Sequence, residues 1–182
     1  MKTAPLISLC LVATLLAGDP PPAVTKDTVS TFYRQFKRVT KDPHYVAPLT
    51  ATLCMAPGPE LVEREKRMTG LHHRTSVHIY ANPPAEDVIK VNTGVFPAGA
   101  VIVKEKLAAD GSVTGVGGMI KRAPGFDAKN GDWEYFYSDS AAGFSIGKLQ
   151  NCADCHANAK AADYVFYGWK NFRLPRQPPP KN

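Results

Sequence analysis

The hydrophobic pattern changes period partway along the chain. In "TKDTVSTFYRQFKRV" the apolar residues Val29, Phe32, Tyr33 and Phe36 recur at helical spacing, with Thr25 or Asp27 placed to cap the first turn. "PELVEREKRMTG" predicts a second short helix, with Pro59 and Glu60 at its start, Lys66 and Arg67 in its last turn and Gly70 just beyond. The period then falls to two. "TSVHIYA" alternates Val77, Ile79 and Ala81 against Ser76, His78 and Tyr80. "NPPAEDVIK" reads as a turn into a helical stub and "AVIVKEKL" as a β-branched strand. "ADGS" at Ala109–Ser112 is a hairpin turn, and "VTGVGGMIKR" is the returning strand. The loop "APGFDAKNGD" leads to "WEYFYSD", which sets Trp133, Tyr135 and Tyr137 on one side. These elements predict an α+β fold, an antiparallel β-sheet of four to five strands with flanking short helices. After Asp139 the chain loosens into the small, polar "SAAGFSIGKLQN", and "HANAKAADYVFYGW" begins helically. No internal repeat is present.

The two ends differ from this body. "MKTAPLISLCLVATLLAG" has one early lysine, an apolar run from Leu6 to Ala17 and then the polar "DPPP". The run is too short to span a bilayer, so residues 1–18 read as a secretory signal cleaved near residues 17–19 rather than as a membrane anchor. Cys10 lies inside the apolar run, so it does not mark a lipid-attachment site. The expected division is a signal peptide at 1–18, a linker and helices at 19–69, a main domain at 70–169 and a basic proline-rich tail at 170–182. Of the net charge of +6, Lys2 contributes one and the tail residues Lys170, Arg173, Arg176 and Lys181 contribute four, leaving the body at about +1. A nucleic-acid binder spreads basic groups over a folded face, so this distribution argues for a solvated extension or docking arm instead. The reading is an exported, periplasmic protein without a membrane span.

Export leaves three of the four cysteines. Cys54, in the apolar "LTATLCMAP", reads as a buried inert thiol. The other two form "CADCH": Cys152, Cys155 and His156. A thioredoxin-type dithiol follows a buried strand, which the polar segment before Cys152 does not supply. A structural zinc site needs four ligands, so Cys54 and a further histidine would have to complete the set. Haem attachment needs two thiols to add across the two vinyl groups and the adjacent histidine to bind the iron. Chance gives only about 0.002 such strings at this composition. The favoured reading is one covalent haem c, an iron-binding site with His156 as axial ligand. The sixth iron position is open to histidine or methionine, and spacing alone does not choose among Met55, Met68, Met119, His44, His72, His73 and His78.

Three segments occur in order: "FPAGAVIVKEKL" (Phe96–Leu107), "GDWEYFY" (Gly131–Tyr137) and "CADCHANAKAADYVF" (Cys152–Phe166). Over about residues 70–168 the chain resembles the cytochrome P-460 family, which includes the cytochromes c′-beta. The resemblance implies a small exported haem protein on an antiparallel sheet, often a homodimer, passing electrons to a redox partner such as another cytochrome. It implies a haem with histidine on one side and an open or weakly held position on the other. Cytochromes P-460 oxidise hydroxylamine and carry a haem cross-link to a strand lysine, which by position is Lys104. The c′-beta members bind nitric oxide without that link. Family members place a phenylalanine above the haem; here His72 or His73 stands near that place and is the candidate distal ligand. A distal base is not evident, since Glu105 alternates to the face opposite Lys104. Three readings follow: a haem oxidoreductase of the hydroxylamine or nitric oxide type, a six-coordinate electron-transfer cytochrome, and a gas-binding protein.

Overall fold

A computed structural model of the chain describes residues 23–46, 59, 60, 63, 75–91 and 94–166. Residues 1–22, where a signal peptide is expected, Cys54, Met55, Met68, His72, His73 and the basic tail lie outside the described residues.

The core is one antiparallel sheet of seven strands. These are β1 (Lys37–Arg38), β2 (His44–Val46), β3 (Thr75–Ala81), β4 (Val101–Leu107), β5 (Val113–Lys121), β6 (Trp133–Asp139) and β7 (Gly143–Gly147). β1 and β2 both pair with β3, and the order then follows the chain from β3 to β7. The five longer strands match the expected number. The added ones are the two short edge strands, which are too brief to show alternation. β7 replaces the expected loose segment: its Phe144 and Ile146 do alternate, but glycines at both ends disguise the pattern. Two short helices flank the sheet, α1 (Pro83–Val91) and α2 (Gln150–His156), and α2 runs into a tighter turn of 3-10 helix at Ala157–Ala162.

Local chemistry fixes the joins. Asn82 caps α1: its Oδ1 accepts from Ala85 N at 3.3 Å and from Val101 N at 2.8 Å, while its Nδ2 donates to Gly99 O at 2.8 Å. One side chain therefore starts the helix and ties it to the head of β4, with Pro83 in the first helical position. The β4–β5 hairpin closes at Gly111, whose φ of 84° requires glycine, and Asp110 Oδ1 accepts from Ser112 N at 2.9 Å. Expected helix 25–39 forms as irregular turns that mix three- and four-residue hydrogen bonds, such as Phe32 N to Thr28 O and Phe36 N to Tyr33 O. The Thr28 hydroxyl bonds back to Ala23 O at 3.1 Å, a competing local bond of the kind threonine makes near helix starts.

The sheet is covered on both faces. On the face we call the back, Val101, Val103, Val116, Ile120 and Phe136 pack against Val24, Val29 and Tyr33 of the N-terminal turns. On the front, Val77, Ile79, Ala81, Ile102, Met119, Trp133 and Tyr135 pack against Ile89 of α1, Ala153 of α2, Tyr164 and Val165. Gly118 lets the back close up, because a Cβ there would lie 2.4 Å from the Phe136 ring and 2.5 Å from Ile102 O.

Candidate haem site

Cys152, Cys155 and His156 stand at positions i, i+3 and i+4 of α2, so the helix turns all three to one side. Ala153, 2 % exposed, packs that helix on the front of the sheet. The strand register then shows what lies opposite. Across the front run the rows Ala81–Ile102–Met119–Tyr135 and Ile79–Lys104–Gly117–Tyr137. Lys104 is thus on the α2 side of the sheet, and Glu105 is on the other, as the alternation predicts. Gly117 sits directly between Lys104 and Tyr137, and Gly115 between Lys106 and Asp139, so β5 itself contributes no side chain at these two positions of the face. Sequence reasoning missed this pair of glycines. Its signal was the spacing of Gly115 and Gly117 on one strand face.

Neither Cys152 nor Cys155 forms a disulfide among the described residues. Burial pushes the Cys152 thiol up to about 11, helped by the neighbouring Cys155 and opposed by Lys104, and burial raises Cys155 too. A redox-active dithiol has the reverse character, a depressed thiol pKa, so the environment disfavours the thioredoxin reading. Among the described residues no group of three His, Cys, Asp or Glu side chains is arranged to hold a metal ion. Lys104 is half-buried and makes no hydrogen bond or ion pair with the described residues. Loss of water around it lowers its pKa, opposed by the charges that Cys155 and Cys152 would carry.

His156 has a defined tautomer. Its Nδ1 lies 2.6 Å from Tyr164 O. A carbonyl can only accept, so Nδ1 carries the hydrogen and Nε2 keeps its lone pair. Burial, aided by the charge of Lys104, lowers the pKa to about 3, which keeps the ring neutral. The ring is flanked by Tyr135 at 5.2 Å and Phe166 at 5.3 Å between centroids. Tyr135 is 2 % exposed and its hydroxyl is the buried side-chain polar atom left without a partner among the described residues. An orphan hydroxyl beside a neutral imidazole and two cysteines outside any disulfide fits a flat group with polar edges and a Lewis-acidic centre.

The other candidate iron ligands are scattered. His78 is on the back, its Nδ1 3.3 Å from the Thr40 hydroxyl. Met119 is 3 % exposed within the front core. His44 pairs with Val77, which brings it to the front row of Val77 and Lys106. Burial and then the charge of Lys104 lower its pKa.

Fold and site together define a haem cytochrome built on an antiparallel sheet with a CxxCH helix docked on one face. The family model of cytochrome P460 matches residues 60–167, and the chain belongs to that family. No individual curated protein matches it. Membership makes the chain a haem- and iron-binding cytochrome. No helix among the described residues is long and apolar enough to cross a membrane.

Proposed function

We propose that the chain is an exported cytochrome with one covalent haem c, which binds or oxidises hydroxylamine, nitric oxide or a similar small nitrogen ligand. Cys152 and Cys155 would hold the haem by adding their S–H groups across its two vinyl groups, and His156 Nε2 would bind its iron. The iron would supply ligand binding and one-electron exchange. Lys104 is the candidate cross-link, since desolvation favours its neutral, nucleophilic amine; that bond would replace a ring C–H and pass two electrons and two protons to an external oxidant such as a peroxide. Tyr137 closes the same row, and its Oη donates to Asp139 Oδ2 at 2.6 Å, a path that can move a proton from the front of the sheet toward solvent. Electrons leave to a second protein, such as another cytochrome, and the family supports a homodimer as the working unit.

The observation that carries this reading is Lys104, without a hydrogen bond or ion pair among the described residues, on the same face as the two thiols and the histidine. A second reading, electron transfer through a six-coordinate iron, is favoured by one observation: His44 reaches the front of the sheet in electrostatic range of Lys104. His72 or His73 fills the same role in that reading. Mass spectrometry of a tryptic digest, taken with the ferric spectrum, separates the readings. A haem-bearing species joining the Lys104 peptide to the Cys152–Cys155 peptide, with a high-spin spectrum, supports ligand oxidation. Haem on the cysteine peptide alone assigns gas binding if the iron is high-spin and electron transfer if it is low-spin.

A further inference from the structure

His156 is oriented by the carbonyl of Tyr164, and that carbonyl is held in place by residues far away in sequence. Asp163 and Tyr164 have φ of 50° and 65°, two consecutive left-handed residues that both carry a Cβ. Side-chain residues adopt this conformation only when their surroundings impose it. Here three elements converge on Asp163. Lys121, the last residue of β5, donates from Nζ to Oδ1 at 2.8 Å and Oδ2 at 2.7 Å. Phe96 N donates to Oδ2 at 2.8 Å, and the Trp133 indole Nε1 donates to the Asp163 carbonyl at 2.9 Å.

The ion pair is almost dry, with side chains 8 % and 9 % exposed, and the Lys121 ammonium also lies 5.0 Å from the centre of the Trp133 ring. Tyr164 is fixed in turn. Its hydroxyl donates to Lys129 O at 2.9 Å, and its ring lies so close to Gly131 that a Cβ there would meet it at 2.5 Å. These side-chain bonds converge on the backbone at Asp163 and Tyr164. The product of that effort is a carbonyl 2.6 Å from His156 Nδ1.

We propose that Lys121 and Asp163, with Trp133, form a positioning clamp that sets the electron-donating strength of His156 toward the iron. This rests on the assignment of His156 as the axial ligand. The stronger the bond from Nδ1–H to the Tyr164 carbonyl, the more imidazolate character the ring has, and the better it donates through Nε2. A firm clamp therefore stiffens the iron–histidine bond and favours ferric iron. Loosening it frees Asp163 and Tyr164 to leave the left-handed region, turns the carbonyl away and weakens the donor. Neither Lys121 nor Asp163 hydrogen-bonds His156 directly, so both act through the backbone.

The test uses the haem-loaded protein. The double variant Lys121→Met/Asp163→Asn removes both buried charges together and leaves neither unpaired. Asp163→Asn alone is milder, since asparagine tolerates the left-handed conformation and keeps one acceptor oxygen. Two quantities are read: the iron–histidine stretch by resonance Raman on the photoproduct of the ferrous carbon monoxide adduct, and the midpoint potential. The expected result is a lower stretching frequency and a more positive potential, larger in the double variant than in Asp163→Asn. Lys121→Arg, which keeps the ion pair, should return both toward wild-type values. A merely structural pair would lower the unfolding midpoint and leave the frequency where it was. Haem-loaded variants with unchanged stretch and potential overturn the clamp. Wild-type protein with covalent haem but no histidine stretch overturns the His156 assignment instead.

Discussion

Lys104 and Glu105 are neighbours on one strand, and the two faces of the sheet treat them in opposite ways. Glu105, 7 % exposed on the back, accepts from the Tyr33 hydroxyl at 2.6 Å and the Tyr80 hydroxyl at 2.9 Å. Its charge is settled by groups the chain itself supplies, within a wall of edge-to-face rings in which Tyr33 meets Tyr80 at 5.2 Å and Phe32 at 5.5 Å. Lys104, on the front, has neither hydrogen bond nor ion pair among the described residues and faces two thiols and a neutral histidine. A buried polar group is normally satisfied, because leaving it unpaired costs free energy of folding. Among the described residues the back obeys that rule, and on the front the Tyr135 hydroxyl breaks it. The back settles its charge with its own groups. The front gathers the residues that we propose hold the haem.

The largest expected effect follows from that asymmetry. Cys152→Ala with Cys155→Ala removes both thioether attachment points, and acid–acetone extraction should strip haem from the variant, save any held through Lys104, while leaving it on the wild-type protein. Extraction that clears the wild type as well would end the covalent reading and leave the unpartnered Tyr135 hydroxyl unexplained.

The sequence made part of this contrast visible and hid the rest. Alternation separates Lys104 from Glu105, because neighbours on a strand always part to opposite faces. The CxxCH string states its own chemistry. The hairpin at Asp110–Gly111 and the helix start at Asn82–Pro83 are equally legible, since each depends on residues within a few positions. What was hidden depends on distance along the chain. Nothing near Lys121 announces Asp163, and nothing near Glu105 announces Tyr33; the two pairs are separated by 42 and 72 positions. The placing of Gly115 and Gly117 between lysines of β4 and Asp139 and Tyr137 of β6 is a property of three adjacent strands, so it takes on meaning only once register is known. His44 reads as an isolated histidine until β2 lies along β3.

A second pair of substitutions sharpens the comparison. Glu105→Leu leaves the buried Tyr33 and half-buried Tyr80 phenols without their acceptor and should cost about 2–3 kcal/mol of stability. Its haem spectrum should not move, since the change is on the back. Lys104→Met replaces an unpaired amine with an apolar chain of similar length. It should cost little or no stability, yet alter the haem spectrum and abolish any Lys104-linked haem peptide. Denaturant unfolding and the optical spectrum of both haem-loaded variants check this. Equal stability losses, or a spectral change in Glu105→Leu, would show that the faces are not divided in this way.

The smallest effect is a pH dependence on the back. Burial, then the hydrogen bond and charge of Glu105, raise the pKa of Tyr33 above its ordinary value of 10.0. Its folded-state pKa therefore exceeds its unfolded one. Above about pH 10 the unfolded chain gives up this proton while the folded protein still holds it. The stabilisation is fully present below that pH and is lost as pH rises toward the folded value. Tyr80, Tyr135 and Tyr137 are shifted in the same direction, so wild-type stability should fall steeply on the alkaline side. Tyr33→Phe removes one titrating group. It should cost about 1.5 kcal/mol at neutral pH, for one hydrogen bond to a carboxylate, and the gap to wild type should narrow as pH climbs. One proton linked to folding changes the slope by at most about 1.4 kcal/mol per pH unit, which urea midpoints between about pH 9 and pH 11 can resolve. Parallel curves for the two proteins would mean that Tyr33 ionises as freely in the folded state as in the unfolded one. The bond to Glu105 would then not confine its proton, and the back of the sheet would lose the one feature that sets its buried charge apart from Lys104.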